Sequence, residues 1–436
     1  MSLSHKIKTK KAKVGVIGLG YVGLPNALEI AKAGFSVFGI DIRKEKIRKL
    51  NKGISYINFV KNSEIKNVLK SGHFKAFNNF EPLKFTDVVI ICVPTPLDKN
   101  KVPNISFIKN SAIEIKKRIH KDELILLEST TYPGTTEEVL LPLFEENHFK
   151  AGKDFYLAFC PERIDPGNKM PFSEVPRVVG GITKQCTKVA EMFYKQFIKK
   201  VYPVSSAKVA EMTKLLENIY RLINISAINE LALLCSKMGI DIWEVIEAAK
   251  TKPYGFHPFY PSPKCGGHCI PLDPFYLSWK AKEYRFWTRF IDLAGEINEQ
   301  MPHFIVTRIN YLLNLNKKPI KGSKILVWGV AYKRDVADAR ESSAYDIIYD
   351  LLRKGAKVDY FDPYIKKFEI SNPQLKKPII LKSVKYSPEI FKKYDLVLIL
   401  TDHSGFDYEK FPEKSKIIFD TRNAIKSRKH KNVSWL

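Results

Sequence analysis

The segment from Lys13 to Ile42, KVGVIGLGYVGLPNALEIAKAGFSVFGIDI, constrains the fold more than any other stretch. A run of β-branched residues gives way to glycines, then to an amphipathic helical pattern ended by Gly34, then to a second apolar run closing at Asp41. That order predicts strand, helix and parallel strand, and parallel neighbours require a crossover helix packed on the sheet. Gly18, Gly20 and Gly23 form GxGxxG at the strand-to-helix turn, with Tyr21 and Val22 inside it. The first glycine permits the tight turn, the second lets backbone approach a pyrophosphate, and the third lets helix and strand pack closely. Asp41 can accept hydrogen bonds from an adenosine ribose diol and repel a 2′-phosphate, which selects NAD over NADP. Arg43, two residues on, works against that selection.

Three later apolar runs, Asp87 to Pro94, Glu123 to Thr130 and Phe155 to Glu162, predict further strands of the same sheet. Each ends in polar residues, and ligands of open α/β sheets bind at those carboxyl ends. From Ala207 to about Gly239 neither Pro nor Gly interrupts a three-and-four apolar spacing, which predicts one long helix. Helices over Asp241 to Lys250 and from Tyr284 to about Leu315 are expected around it. After KPIKGS (Lys318 to Ser323) a second α/β pattern begins, with strands KILVW, VDYFDPY, DLVLILTD and KIIFDTRN and a helix over SSAYDIIYDLLRKGA. The expected architecture is therefore α/β: two Rossmann-like parallel-sheet domains, residues 1–205 and 318–436, joined by a helical domain, residues 206–317, with a long central helix. The two α/β parts read as weak pseudo-repeats, and only the first has the full glycine fingerprint.

A 436-residue chain calls for two or three domains, and 45% hydrophobic with 27% charged residues is a globular balance. No apolar run is long enough for a bilayer span, and the start, MSLSHKIKTKKAK, lacks the apolar segment of a secretion signal, so a cytoplasmic protein with no membrane insertion is expected. The formal charge of +26 raises nucleic acid as a partner. The lysines are spread along the chain, however, and no nucleic-acid-binding motif accompanies them, so no nucleic-acid partner is expected.

Tyr260 to Pro274 reads YPSPKCGGHCIPLDP. Cys265, His268 and Cys269, with Asp273 as a poor fourth ligand, lack the second Cys/His cluster that a structural zinc site needs, so no metal is expected. The alternative is that one of the two thiols is a nucleophile with an Asp partner, presented by a glycine turn that admits substrate. A thiol can capture an aldehyde as a thiohemiacetal, which a second hydride transfer converts to a thioester for hydrolysis. These residues alone do not choose between Cys265 and Cys269.

Taken together, GVIGLGYVGLP, CVPTPL, ESTTYPGT, CPERIDPGN, EMTKLLENIYRLINISAINELALL, GGHCIPLDP and GVAYKRDVADARESSAYDI resemble the NDP-sugar 6-dehydrogenase family of UDP-glucose and UDP-N-acetylhexosamine enzymes, from about Lys13 to the C-terminus. The resemblance implies NAD as cofactor, a UDP-sugar as substrate and a homodimer packed through the long helix. It chooses Cys269 as the nucleophile and implies proton handling by Asp273. Lys214 and Asn218 match a K-x-x-x-N pair, one helical turn apart, that the resemblance assigns to oxyanion stabilisation. Arg221, three residues further on the same face, resembles a substrate contact of the N-acetylhexosamine branch. Glu162 resembles the base for thioester hydrolysis, and Arg163, Ile164 and Gly266 resemble substrate-loop positions. Where some members carry a second Glu, this chain has Pro166. Thr95 and Thr130 resemble positions on the nicotinamide side, Thr130 also orienting water. Lys333 resembles a substrate contact and Arg340 a cofactor phosphate contact.

PERxxPGN and GGHCIPxDPFYLSWKA resemble the UDP-N-acetylglucosamine branch more than the UDP-glucose or UDP-N-acetylmannosamine branches. Ser262, Lys264 and Cys265 depart from that branch's usual PGPGLGGHC loop, and Gly255 stands where the mannosamine branch has an arginine. Two other classes make different predictions. A two-electron hydroxyacid dehydrogenase would yield one NADH per substrate and ignore Cys269→Ser, and a basic RNA-binding protein would show salt-sensitive binding and no NADH production.

Overall fold

The computed structural model describes residues 1–436 except 58, 99, 147, 164–169, 268 and 373. Two compact units emerge, one from Met1–Glu217 and Phe275–Trp287, the other from Asn218–Pro274 and Thr288–Leu436.

In the first unit the strands β1 (Lys13–Ile17), β2 (Ser36–Ile40), β3 (Phe74–Phe77), β4 (Val88–Ile91), β5 (Glu123–Leu127), β6 (Phe155–Phe159), β7 (Arg177–Gly181) and β8 (Val201–Pro203) form one sheet. Their order is β3-β2-β1-β4-β5-β6-β7-β8. β1 to β6 run parallel, as the crossover pattern predicts, and their apolar runs are buried on both faces. Beyond these six parallel strands, β7 pairs antiparallel with β6. Strand order reverses between β1 and β4, so the glycine turn at Gly18 lies at a topological switch point, where ligands of such sheets bind.

Glu123 opens β5 with its side chain buried, and one carboxylate oxygen accepts from the Thr86 hydroxyl at 3.2 Å. Burial, with Asp87 nearby, pushes its pKa up to about 8 despite the Thr86 and His120 hydrogen bonds. A raised folded pKa means that stability is full below the unfolded value near 4.3 and is lost as pH rises through the folded value. Glu123→Gln is therefore expected to match the native protein's stability near pH ~4 and to exceed it above pH ~8, by on the order of 5 kcal/mol. Thermal melts across that range check this, and parallel curves for the two proteins would contradict it.

The second unit holds β9 (Lys324–Trp328), β10 (Lys357–Phe361), β11 (Lys367–Ile370), β12 (Ile379–Lys382), β13 (Leu396–Ile399), β14 (Ile418–Asp420) and β15 (Val433–Trp435). Five of them form a parallel sheet in the order β10-β9-β13-β14-β15, and β11 and β12 form a separate antiparallel pair. The helix Ser343–Arg353 lies between β9 and β10 in the chain, where the pattern places it.

The helix Ala207–Met238 is unbroken over 32 residues, and Gly239, at φ 71°, follows it. The helix Arg289–Leu315 starts later than expected. Residues Lys282–Tyr284 form a 3-10 turn, and Arg285 takes a left-handed φ of 54°, so a continuous helix cannot pass through Tyr284.

The pseudo-repeat extends to individual hydrogen bonds. Asp87 accepts the Lys13 amide at 2.8 Å and Lys6 at 2.6 Å, and Asp395 accepts the Lys324 amide at 3.0 Å and Lys318 at 2.6 Å. Each aspartate ties the start of one central strand to its neighbour. Gly18 and Gly329 both have positive φ, and their amides donate to Ile40 and Phe361 at 2.8 Å. Asp41 accepts the Leu19 amide, and Asp362 accepts those of Val330 and Ala331.

Candidate active site

The glycine fingerprint behaves as its chemistry demands. A Cβ at Gly18 would strike the Cys92 carbonyl, and one at Gly23 would strike Gly18 itself. At Gly20 a Cβ would meet nothing within 4 Å, which leaves the backbone open to a diphosphate. The helix Gly23–Lys32 begins with no side-chain cap at Val22, so its positive end is left to an anion. Tyr21 and Val22 are half-buried in this turn. Asp41 is buried at the end of β2, where its carboxylate also accepts the Arg43 amide at 2.9 Å and Lys46 at 2.8 Å. The Arg43 side chain is exposed. These residues fit a dinucleotide, with Gly18, Gly20 and Gly23 shaping the phosphate turn and Asp41 at the ribose position.

In the second unit the equivalent carboxylate is committed to structure. Asp362, wholly buried, accepts from the Val330, Ala331, Tyr364 and Ile365 amides and pairs with the His403 Nε2 at 3.1 Å. Burial would raise its pKa, but His403 and the amides outweigh that and hold it below the ordinary range. The His403 Nδ1 accepts the Asp335 amide at 3.0 Å. Asp362 and His403 thus pin the loop that carries Lys333 and Arg340, rather than facing a ribose. Lys333 is half-buried, and Arg340 forks onto Asp338 with its closest approach at 2.6 Å.

That loop touches the thiol-bearing segment. The Gly267 amide donates to the Arg340 carbonyl at 3.1 Å, and a Cβ at Gly266 would come within 2.8 Å of both the Glu341 carbonyl and Tyr332. Gly267, at φ 88°, lies against the Tyr332 ring. The Gly-Gly pair therefore already has a close neighbour in Tyr332, beyond any substrate it admits.

The two cysteines differ in exposure. Cys265 is buried against Leu222 and Ala294, and burial pushes its pKa up to about 12 despite Arg221, Arg422 and Lys264 nearby. Cys269 is exposed. The Cys269 carbonyl accepts the Leu272 and Asp273 amides, closing a turn that leads into the helix Asp273–Ala281. Asp273 is buried and accepts from Asn218 Nδ2 at 2.6 Å. The preceding loop is fixed by the Ser262 amide to Asn229 at 2.8 Å, the Cys265 amide to Asn298 at 2.6 Å, and Lys264 to Glu299 and Asp346. Sequence reasoning missed these anchors because all four partners lie on helices more than thirty residues away. His268 lies outside the described residues, and among those described no three His, Cys, Asp or Glu converge for a metal.

Lys214 is buried, where helical pattern alone reads a solvated surface lysine, and Asn218 follows it one turn along the same helix. Arg221 on that helix is exposed. Glu211, one turn before Lys214, accepts the Gly134 amide at 2.6 Å and the Thr136 amide and hydroxyl at 2.9 and 2.6 Å. It thereby hangs the YPGT loop on the helix, and burial pushes its pKa up to about 7 despite those bonds. No sequence signal marked it.

Glu162 is buried just beyond β6. Its carboxylate accepts the Arg163 amide at 2.7 Å and Arg177 Nη2 at 2.7 Å. The Arg163 side chain reaches the Pro176 carbonyl at 3.0 Å and Glu217 at 2.6 Å. Ile164 and Pro166 lie outside the described residues. Thr95 is buried, and its carbonyl accepts from the Tyr276 hydroxyl, while Thr130 is half-buried at the end of β5. The Ser129 hydroxyl, accepting the Val93 amide at 2.9 Å, joins the ends of β4 and β5 beside them.

Residues 12–198 match the NAD binding domain of the UDP-glucose/GDP-mannose dehydrogenase family, residues 208–300 its central domain and residues 326–427 its UDP binding domain. A UDP-N-acetyl-D-mannosamine dehydrogenase of Methanocaldococcus jannaschii is 34% identical over 427 residues, covering 95% of this chain and 92% of that protein. A UDP-N-acetyl-D-glucosamine 6-dehydrogenase of Pseudomonas aeruginosa is 33% identical over 400 residues, covering 91% and 92%. The solved UDP-D-ManNAc dehydrogenase of Pyrococcus horikoshii superposes with a TM-score of 0.86 at 31% identity, covering 97% and 98%. With the fingerprint intact and all three domains matched in order, the chain is a dehydrogenase with an NAD-binding domain and belongs to the UDP-glucose/GDP-mannose dehydrogenase family.

Proposed function

We propose that this protein oxidises the C6 hydroxyl of a UDP-N-acetylhexosamine, UDP-GlcNAc before others, to the carboxylate, with two NAD consumed per sugar. The observation that carries this reading is Cys269, the exposed thiol, on a turn bonded to the loop bearing Lys333 and Arg340. Bound NAD would accept a hydride from C6 at each oxidation stage. Cys269 captures the C6 aldehyde as a thiohemiacetal and holds the later thioester. Lys214 and Asn218 stabilise the C6 oxyanion, and Asp273, oriented by Asn218, handles protons. Glu162 takes a proton from the hydrolytic water, which Thr130 helps to orient. Gly18, Gly20, Tyr21, Val22, Gly23, Asp41, Arg43, Thr95, Thr130 and Arg340 hold the cofactor. Arg163, Ile164, Arg221, Gly266 and Lys333 contact the UDP-sugar. Residues 1–205, 206–317 and 318–436 are the cofactor, central and UDP-sugar domains that divide these tasks.

Gly255 favours UDP-GlcNAc, since this backbone offers no arginine there. The mannosamine enzymes among its relatives favour UDP-ManNAc as the second reading. Assaying NADH production from UDP-GlcNAc, UDP-ManNAc and UDP-glucose, with product mass, decides between them. The uronate of UDP-GlcNAc is expected as the main product, and a kcat/KM higher for either other sugar would overturn the choice.

A cytoplasmic homodimer completes the proposal. Along the helix Ala207–Met238, Val209, Met212, Leu216 and Tyr220, and again Leu231, Leu234 and Met238, are exposed at three- and four-residue spacings, two apolar runs suited to a second copy. Among the described residues no helix is long and apolar enough to cross a membrane. The double variant Leu216→Arg/Leu234→Arg is expected to sediment as a monomer where the native protein sediments as a dimer, and equal masses for the two would contradict it.

A further inference from the structure

Arg177 is the largest charged side chain sealed inside the first unit. It opens β7 at 0% exposure, with Nη2 on Glu162 at 2.7 Å, Nη1 on the Pro161 carbonyl at 3.3 Å and its guanidinium 4.9 Å from the Phe172 ring centre. A buried cation costs several kcal/mol in desolvation unless a partner repays it. A hydrophobic residue would serve as well if β7 needed only packing. Behind the pair stands a second buried carboxylate, Glu128, which accepts from Asn26 at 2.7 Å and from the Tyr194 hydroxyl at 2.5 Å. Cys92 and Cys160 line the same interior, and burial pushes both thiols up, so neither supplies charge. Arg177 is thus flanked by two carboxylates, and burial pushes Glu128 up in pKa even with the guanidinium near it.

We propose that Arg177 is a positioning residue that holds the Glu162 carboxylate in the orientation in which it acts as base in thioester hydrolysis. This inference rests on the reading of Glu162 given above. Two observations point the same way. Arg177 donates to one carboxylate oxygen and the Arg163 amide to the other, so the side chain cannot rotate without losing a short hydrogen bond. β7 also pairs antiparallel with β6, and this one reversal in the sheet lays Arg177 beside a residue fifteen positions earlier. In the step concerned, the water oxygen bonds to the thioester carbonyl carbon and its proton passes to Glu162. The carbon–sulfur bond then breaks, and its electron pair leaves with the Cys269 sulfur. A carboxylate turned away from that water cannot take its proton. Without Arg177 one carboxylate oxygen loses its 2.7 Å hydrogen bond, and the side chain is no longer held from both sides.

Pre-steady-state NADH traces for Arg177→Met, Arg177→Lys and Glu162→Gln test this, each with mass analysis of the Cys269 peptide after acid quench. Arg177→Met is expected to give a burst of two NADH per site followed by a linear phase ~10²-fold slower than native. The uronyl group should be found on Cys269. Arg177→Lys, which keeps the charge, is expected to lie between. Glu162→Gln should show the same burst and an equally slow linear phase. If Glu162→Gln bursts but Arg177→Met turns over like the native enzyme, or loses burst and linear phase in equal proportion as a partly unfolded protein would, the inference about Arg177 alone fails. If Glu162→Gln gives no burst and no acylated Cys269, the reading of Glu162 fails and takes this inference with it.

Discussion

Cys269→Ser is expected to end turnover while leaving NAD binding intact. Cys269 is the exposed thiol, whereas Cys265 is buried with its pKa pushed up to about 12, so no second thiol stands ready to replace it. Serine occupies almost the same space, so the turn into Asp273 and the Gly267 bond to Arg340 should survive. Its hydroxyl, however, is a far weaker nucleophile at neutral pH than a thiol with a few per cent thiolate, and an alkoxide leaves an acyl group far less readily than a thiolate does. Both the capture of the aldehyde and the release of the acid slow together. A fall in kcat of roughly 10³-fold or more is expected, with NAD affinity unchanged by calorimetry because Gly18, Gly20, Gly23 and Asp41 are untouched. Native turnover in the variant would mean that no covalent sulfur adduct lies on the path.

Lys214→Met should be the next most severe change. Lys214 sits within the first unit, buried and one helical turn before Asn218, where desolvation makes a fixed cation worth more against a developing oxyanion than it would be in water. Methionine keeps the length and fills the same volume, so the helix should persist. Loss of one oxyanion donor is expected to lower kcat by ~10² to 10³ with little change in KM, because charge develops on the C6 oxygen only beyond the ground state. Steady-state kinetics read that split. A rise in KM with kcat preserved would make Lys214 a ground-state contact instead.

Much of this was legible along the chain because local rules govern it. The glycine turn needs Gly18 and Gly23 where a Cβ would strike backbone, and the long helix needs only an uninterrupted spacing from Ala207 to Met238. Most of the hidden features depend on pairings distant in sequence. Nothing near Arg177 marks it as the partner of Glu162, because the reversal of β7 creates that contact. The burial of Lys214 contradicts the pattern around it, since a lysine on an amphipathic helix ordinarily faces water. The late start at Arg289 turned on a single left-handed residue, Arg285, that no periodicity encodes. Asp362 looks like a ribose ligand by its place after β10, yet five donors already fill it.

The most direct measurement counts hydrides. With UDP-GlcNAc limiting and NAD in excess, the proposed chemistry yields two NADH for each sugar consumed, and the uronate is the end product. One NADH per sugar, with an aldehyde or ketone released, would contradict it.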